Sequence, residues 1–223
     1  NPPAFNGLKI QLGDRPPTPE LLAAVRDRVL ARAAAADLSV PQLLARTSGP
    51  GEPPALRTAW AAYTERLAGL FNQSLHDLRL GLDCMHGCWA GRASDRLRAA
   101  GAHVVALRDR PLGDFAGATP DPAVDAPLAE LGTTVRAGGL HFGAALDGDG
   151  DRVRFLDEAG QPLDNGTVLV LLARHLLASG VVNRPAPAAV YDQKTRLAVV
   201  AELQRAGLRP VRERSGHSFM RAR

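Results

Sequence analysis

Residues 142–152 have the sequence FGAALDGDGDR, in which a short apolar segment runs directly into a loop of alternating aspartate and glycine. The apolar part, Phe142–Leu146, has the length and the flanking residues of a buried strand. On both sides of it, predicted strands alternate with predicted helices. The strands are Leu78–Asp83, His103–Leu107, Phe142–Leu146, Ala188–Asp192 and Pro210–Glu213, and the helices are Ala90–Ala100, Pro122–Ala137, Val168–Ala178 and Arg196–Ala206. This alternation predicts an α/β fold of mixed, mainly parallel sheets covered by helices.

The remaining segments set the domain organisation. A hairpin is predicted at Val153–Leu163. Before residue 77, the predicted elements are two helices, Pro19–Ala36 with Thr18 as its N-cap and the amphipathic helix Ala55–Ser74. A strand at Leu8–Leu12 precedes them, and a Pro/Gly-rich stretch at Thr47–Pro54 lies between them. We therefore predict one complete domain at residues 77–186. A connecting helix within residues 51–76 joins it to a partial domain of the same kind at residues 1–50, and another partial domain begins at residues 187–223.

The composition is that of a globular protein too long for one typical domain. The chain has 223 residues, of which 45% are hydrophobic and 22% charged, whereas a domain usually has about 100 to 150 residues. Its apolar runs are far shorter than the roughly 20 residues of a membrane span, and the start lacks a signal-peptide pattern. We expect a cytoplasmic protein without membrane contact. Cys84 and Cys88 are too few for a disulfide scaffold or, with His86, for a zinc site, so reduced thiols are expected.

The basic residues are strongly biased towards arginine. Of the 27 lysines and arginines, only Lys9 and Lys194 are lysine, which leaves 25 arginines. Arginine stays protonated, whereas lysine can lose its proton in a suitable environment, so these two positions are candidates for a required amine. Chance drift in an arginine-rich sequence is the alternative. The net charge of +4 fits a small anionic substrate, and nucleic acid is not expected because the arginines are dispersed and aromatic residues are few.

The alternating aspartates are the strongest chemical signal. Asp147, Asp149 and Asp151 follow a strand, and the intervening glycines let the backbone curl so that three carboxylates converge on one hard cation. Magnesium is the predicted cofactor because it keeps open positions for phosphate oxygens. Arg152 is predicted to hold an anionic substrate or to brace the loop. Two alternatives stay open, an EF-hand calcium loop and a solvated acidic turn. An EF-hand loop would end at Glu158, but this sequence has Arg152 at the position where such a loop needs glycine.

The acidic loop and four further segments, in the same order along the chain, resemble the α-D-phosphohexomutases, the family of phosphoglucomutases and phosphomannomutases. The loop resembles the family's magnesium loop. NPPAFNGLK at 1–9 resembles the sequence after the family's catalytic serine, and DCMHG at 83–87 resembles the start of its second domain. PDP at 120–122 resembles a later loop of that domain, and YDQK at 191–194 with SGHSF at 215–219 resembles the opening of its third domain. These matches extend over nearly the whole chain.

This resemblance implies a magnesium-dependent enzyme of carbohydrate metabolism. The family interconverts hexose 1-phosphates and hexose 6-phosphates through a phosphoserine and a hexose bisphosphate intermediate, and glucose, mannose and glucosamine phosphates all stay open as substrates. Lys9 falls at a catalytic position and is predicted to assist proton transfer. Asn1, Lys194 and His217, together with Arg152, are predicted to bind substrate. His86 and the nearby cysteines are expected to be structural.

The same pattern predicts that the chain is an internal fragment. The family's serine would lie two residues before Asn1, so the 223 residues alone are expected to be inactive. The rival interpretation is a catalytically inactive, metal-binding or scaffolding α/β module with a structural acidic loop. The sequence upstream of Asn1 would distinguish the two.

Overall fold

The computed structural model describes residues 17–39, 41–42, 56–70, 74–216 and 219–220. The described residues form two compact units, one from 74 to 215 and the other comprising the residues up to 70 together with 216, 219 and 220. Asn1, Lys9, His217, the predicted strand Leu8–Leu12 and the Thr47–Pro54 stretch lie outside the described residues.

The described part of the smaller unit includes the helices α1 at Pro19–Ala35 and α2 at Leu56–Leu70. Thr18 caps α1 as predicted, because its hydroxyl accepts a hydrogen bond from the N–H of Leu21 at 3.3 Å. Pro19 occupies the first position of the helix, where the missing N–H of proline has no cost.

The larger unit is built on a four-stranded sheet. Its strands are β1 at Arg79–Asp83, β2 at His103–Leu107, β3 at Phe142–Leu146 and β4 at Val153–Leu156. Their order across the sheet is β2-β1-β3-β4, with β1 parallel to β2 and β3, and with β4 antiparallel to β3. The connecting segments contain α3 at Arg92–Ala99, a short 3-10 helix at Phe115–Gly117 and α4 at Asp125–Ala137, and α5 at Asn165–Ala178 follows β4.

Two apolar clusters cover the central strand. Leu80 and Leu82 belong to a cluster that Leu97 of α3 joins, and Leu131 and Val135 of α4 belong to another. A strand with neighbours on both edges and a cluster on each face is buried along its length, and β1 is buried after its first residue. Gly81 makes close packing possible on the α4 side, since a Cβ there would lie 2.9 Å from Cδ1 of Leu131.

Two helix starts differ from the sequence-based prediction. The helix expected from Pro122 begins at Asp125, because the carboxylate of Asp121 accepts the N–H of Ala123 at 3.0 Å and holds a turn there. The helix expected from Val168 begins at Asn165, because Asp164 caps it by accepting the N–H of Gly166 at 2.9 Å.

The predicted hairpin at Val153–Leu163 is shorter than expected. Only β4 is a regular strand, and the return segment contributes a single bridge between Leu156 and Pro162. Gly160 has a φ of +69° at the predicted turn, a conformation that favours glycine.

A second, two-stranded parallel sheet follows. It pairs β5 at Ala188–Asp192 with β6 at Arg209–Glu213 and is connected through α6 at Leu197–Arg205. Leu203 of α6 is fully buried and forms a small cluster with Val199 and Val170. The predicted α/β class, with mainly parallel sheets and covering helices, is confirmed. Among the described residues, no helix has the length and apolar character that a membrane crossing requires.

Candidate metal centre

Three aspartates lie where β1, β2 and β3 end. These strands are parallel, so their carboxyl ends meet at one edge of the sheet, which is where open α/β sheets place ligands. Asp83 is the last residue of β1, Asp109 follows β2 and Asp147 follows β3. Their hydrogen-bond partners show that Asp83 and Asp109 have structural roles, whereas Asp147 is a candidate metal ligand.

Asp83 forms a buried ion pair that the sequence did not predict. Its carboxylate is inaccessible to solvent and accepts hydrogen bonds from Nε of Arg108 at 2.9 Å, from Nη2 of the same guanidinium and from the N–H of Met85 at 2.9 Å. The hydrogen bond to Asp83 raises the pKa of Arg108, and Arg108 also contacts Glu130 at 2.7 Å. With its charge paired, Asp83 has a structural role. The sequence signal that could have pointed to this role is the position of Asp83 as the last residue of an apolar strand.

Asp109 is structural as well. It accepts hydrogen bonds from the N–H of Gly91 at 2.7 Å and from the hydroxyl of Ser94 at 2.5 Å. Ser94 is buried near the start of α3. The carboxylate therefore satisfies donors at a helix N-terminus, where a negative charge is favourable.

The aspartates of the acidic loop converge as predicted. Asp147, Asp149 and Asp151 each place a carboxylate oxygen within 4.8 Å of the others. At metal–oxygen distances of about 2.1 Å around an octahedral Mg²⁺, adjacent oxygens lie about 3.0 Å apart and opposite ones about 4.2 Å, so the three side chains would draw closer together to bind one ion. Asp147 is 2% exposed, whereas Asp149 and Asp151 are exposed. This oxygen donor set fits a divalent hard cation with one side open to solvent.

Arg152 braces this loop. Its Nε donates to Asp147 at 2.8 Å, its backbone N–H donates to the same carboxylate at 3.0 Å, and its Nη1 donates to Asp121 at 3.2 Å. The hydrogen bond to Asp147 raises the pKa of Arg152. A carboxylate has about four acceptor positions, so Asp147 keeps capacity for a cation. Bracing is the observed role of Arg152, and anion binding stays a prediction.

Neither alternative for the acidic loop agrees with its surroundings. The loop joins β3 to β4, whereas an EF-hand calcium loop joins two helices. The burial of Asp147 against Arg152 also distinguishes the loop from a merely solvated turn.

A turn that follows β1 lies beside the loop. In this turn the carbonyl oxygen of His86 accepts a hydrogen bond from the N–H of Leu112. Nδ1 of His86 lies 2.8 Å from the carbonyl oxygen of Arg110. These contacts give His86 the structural place expected for it. Cys84 and Cys88 are free thiols, the first buried and the second in an exposed residue. Burial raises the pKa of Cys84, and partial desolvation of the thiol, followed by the nearby charge of Asp149, raises the pKa of Cys88.

A groove of about 370 Å³ opens beside the loop. Its wall includes Asp121 and Arg152, and it continues along Arg154 and Asn165. Nη1 of Arg154 donates to Asn165 at 3.0 Å. The loop therefore borders a space that can admit a small ligand.

Lys194 lies at the carboxyl end of β5. It is exposed, and its backbone N–H donates to the carboxylate of Asp192 at 2.8 Å. This hydrogen bond is the main cause that lowers the pKa of Asp192. A strand-end position agrees with a substrate contact, while Asn1, Lys9 and His217 lie outside the described residues and their roles stay predictions.

Comparisons with known proteins give consistent matches. Residues 61–160 match the family model described as phosphoglucomutase/phosphomannomutase, alpha/beta/alpha domain II. The chain is 29% identical over 222 residues to phosphoglucosamine mutase of Cupriavidus taiwanensis, covering 99% of this chain and 46% of that protein. It is 35% identical over 133 residues to phosphoglucosamine mutase of Shewanella sp. strain ANA-3, covering 57% of this chain and 28% of that protein.

The fold comparison gives the same family. A crystal structure of a phosphoglucomutase/phosphomannomutase family protein from Burkholderia thailandensis superposes with a TM-score of 0.65 and 28% identity. It covers 73% of this chain and 34% of that protein. The chain thus spans less than half the length of these relatives. The ordered motifs, the fold and the domain match together show that this chain is similar to the α-D-phosphohexomutases.

Proposed function

We propose that this chain supplies the metal-binding part of a magnesium-dependent phosphohexomutase, an isomerase that interconverts hexose 1-phosphates and hexose 6-phosphates. The observation that carries the proposal is the convergence of Asp147, Asp149 and Asp151 at the carboxyl edge of the sheet. This loop lies in the part of the chain that matches the family's second domain.

The three aspartates would hold one Mg²⁺. When bound, the ion supplies positive charge to a phosphoryl group in transfer. Arg152 keeps the carboxylate of Asp147 oriented towards the loop. The exposed side of Asp149 and Asp151 leaves room for a phosphate group to approach.

The other roles follow from the resemblance. Lys9 would assist proton transfer at the sugar hydroxyl, since a lysine in a cationic, desolvated site has a lowered pKa. Asn1, Lys194 and His217 would contact the substrate. We also propose the phosphoserine and the bisphosphate intermediate on this basis, together with a cytoplasmic location.

The names of the relatives bear on the substrate class. The matched relatives are phosphoglucosamine mutases and a protein of the phosphoglucomutase/phosphomannomutase family. We therefore propose a hexose phosphate, with glucosamine, glucose and mannose phosphates as the candidates to be assayed.

A chimaeric enzyme tests this activity. In phosphoglucosamine mutase of Cupriavidus taiwanensis, the stretch that aligns with 99% of this chain is replaced by this chain. We expect the chimaera to convert at least one of the three sugar 1-phosphates to its 6-phosphate, as followed by a coupled assay. A folded chimaera that binds magnesium but converts none of them would favour the inactive-module interpretation.

Calorimetry on the 223-residue chain tests the metal assignment separately. We expect Asp149→Asn to weaken magnesium binding by about tenfold or more, because it removes a charged ligand. The matched control is Asp95→Asn, which removes a carboxylate that is 80% exposed on α3. Unchanged magnesium affinity in Asp149→Asn would remove the loop from the proposed site.

A further inference from the structure

The backbone of the acidic loop lies directly against three consecutive residues of the turn after β1, Gly87, Cys88 and Trp89. We call these three residues the cradle. Each makes a different kind of contact with the loop, and the carboxylates of Asp149 and Asp151 are exposed. The placement of such exposed ligands depends on how firmly the backbone beneath them is held.

Gly87 allows the closest approach. A Cβ added at this position would lie 2.7 Å from the carbonyl oxygen of Gly148 and 2.9 Å from that of Asp147. Both atoms are backbone, so the loop itself would have to move. Since Gly87 is not among the residues of positive φ, the requirement for glycine is steric and comes from the loop.

Cys88 ties the loop down with two hydrogen bonds. Its backbone N–H donates to the carbonyl oxygen of Gly148 at 2.9 Å. Its thiol donates to the carbonyl oxygen of Asp149 at 3.2 Å. The second contact acts on the main chain of a proposed metal ligand.

Trp89 lies against the far end of the loop. Gly150 has a φ of +71°, and a Cβ there would overlap the indole ring of Trp89. The glycine therefore serves two purposes, the left-handed turn of the loop and the contact with the ring.

We propose that the cradle is a positioning element, in which Gly87, Cys88 and Trp89 fix the loop backbone so that its three carboxylates converge before a cation arrives. The inference rests on the proposed function, because it takes the loop to be the metal centre. Arg152 and the cradle act on different parts of the loop. Arg152 orients the side chain of the buried Asp147, whereas the cradle sets the backbone that carries Asp149.

Magnesium titration by calorimetry on the 223-residue chain tests the cradle, with the metal-free unfolding temperature measured in parallel. We expect Gly87→Ala to weaken magnesium affinity about 10- to 100-fold, the range found when supporting contacts of metal ligands are removed. Gly113→Ala is the matched control, since a Cβ there meets nothing within 4 Å, and it should leave the affinity unchanged.

The side chain of Cys88 gives a second, milder test, because that residue is exposed and its replacement should leave the fold intact. Cys88→Ala removes the donor and should weaken magnesium binding by about tenfold. Cys88→Ser should restore most of the affinity, since a hydroxyl also donates to a carbonyl. We expect the metal-free unfolding temperatures of both Cys88 variants to match that of the unsubstituted chain.

The outcomes separate this inference from the proposed function. Normal magnesium affinity in the Cys88 variants and in a folded Gly87→Ala protein would overturn the cradle while leaving the metal centre in place. Equal losses in Cys88→Ala and Cys88→Ser would also overturn the role of the thiol. A chain without magnesium affinity in its unsubstituted form would defeat the metal assignment itself, and the cradle with it.

Discussion

At the scale of single residues, neighbouring aspartates at one sheet edge have different roles because their partners differ. Asp83 is matched by the guanidinium of Arg108 and is closed off from solvent. Asp147 is also held by an arginine, but two further carboxylates lie within 4.8 Å of it. Like charges this close repel one another, and in the proposed function a bound ion would offset this repulsion. The Asp83 pair, by contrast, serves stability.

The Asp83 pair leads to a stability prediction. Asp83→Asn would leave the partly buried guanidinium of Arg108 without its main charged partner, and we expect the free energy of unfolding to fall by about 3 kcal/mol. The control Asp95→Asn, which disrupts an exposed contact with Arg98, should cost less than about 1 kcal/mol. Urea unfolding of both variants gives the comparison. Equal losses would mean that Glu130 replaces Asp83 as the partner of Arg108.

The two lysines should respond differently to replacement by arginine in the chimaeric enzyme. Lys9→Arg keeps the charge but removes a group able to release its proton, so turnover should fall about 100-fold. Lys194→Arg should instead raise KM, because a planar fork replaces a compact charge at a substrate contact. Steady-state kinetics on both variants decides this. Near-normal turnover in Lys9→Arg would mean that only the charge matters there.

The local part of the site could be predicted from sequence, and the long-range part could not. Asp147, Asp149 and Asp151 are neighbours in the chain, so their convergence follows from their spacing and the glycines between them. Arg108 and Asp83 are far apart in sequence and meet only because β1 and β2 are adjacent and in register. The contact of Cys88 with Asp149 likewise depends on the tertiary fold.

At the scale of helices and strands, hydrophobic pattern predicted which elements exist, while side-chain hydrogen bonds set where they begin. β2, β3 and β5 have the predicted bounds. By contrast, α4 and α5 begin elsewhere than predicted, because Asp121 and Asp164 bind backbone N–H groups nearby. Such side-chain contacts with the backbone compete with helix propensity, and the spacing of apolar residues does not reveal where they form.

A helix contact gives a prediction at this scale. Gly132 lies inside α4, where alanine would ordinarily stabilise the helix by about 1 kcal/mol. A Cβ at this position would, however, lie 2.6 Å from the carbonyl oxygen of Gly160 in the turn after β4. We therefore expect Gly132→Ala to lower the free energy of unfolding by about 1 to 3 kcal/mol. Urea unfolding against the Gly113→Ala control checks this, and a stabilised Gly132→Ala protein would contradict the close contact.

At the scale of the whole molecule, the order of the motifs contained more information than any single motif. An acidic loop alone fits several kinds of site, but its position after a central parallel strand, together with four further segments in family order, identified the family. The domain match and the superposed crystal structure confirm that identification. The borders predicted for the partial domains stay predictions. The border at residues 186–187 falls within the larger unit, between its two sheets.

The most direct test is the initial rate of hexose-phosphate isomerisation by the chimaeric enzyme as magnesium is titrated, with and without Asp149→Asn. If the acidic loop is the magnesium centre of a phosphohexomutase, the unsubstituted chimaera will be active only with magnesium. The Asp149→Asn form will need a magnesium concentration higher by about tenfold or more to approach the same rate, if it reaches that rate at all. Equal rates at every magnesium concentration, or activity that persists after the metal is removed, would contradict this account.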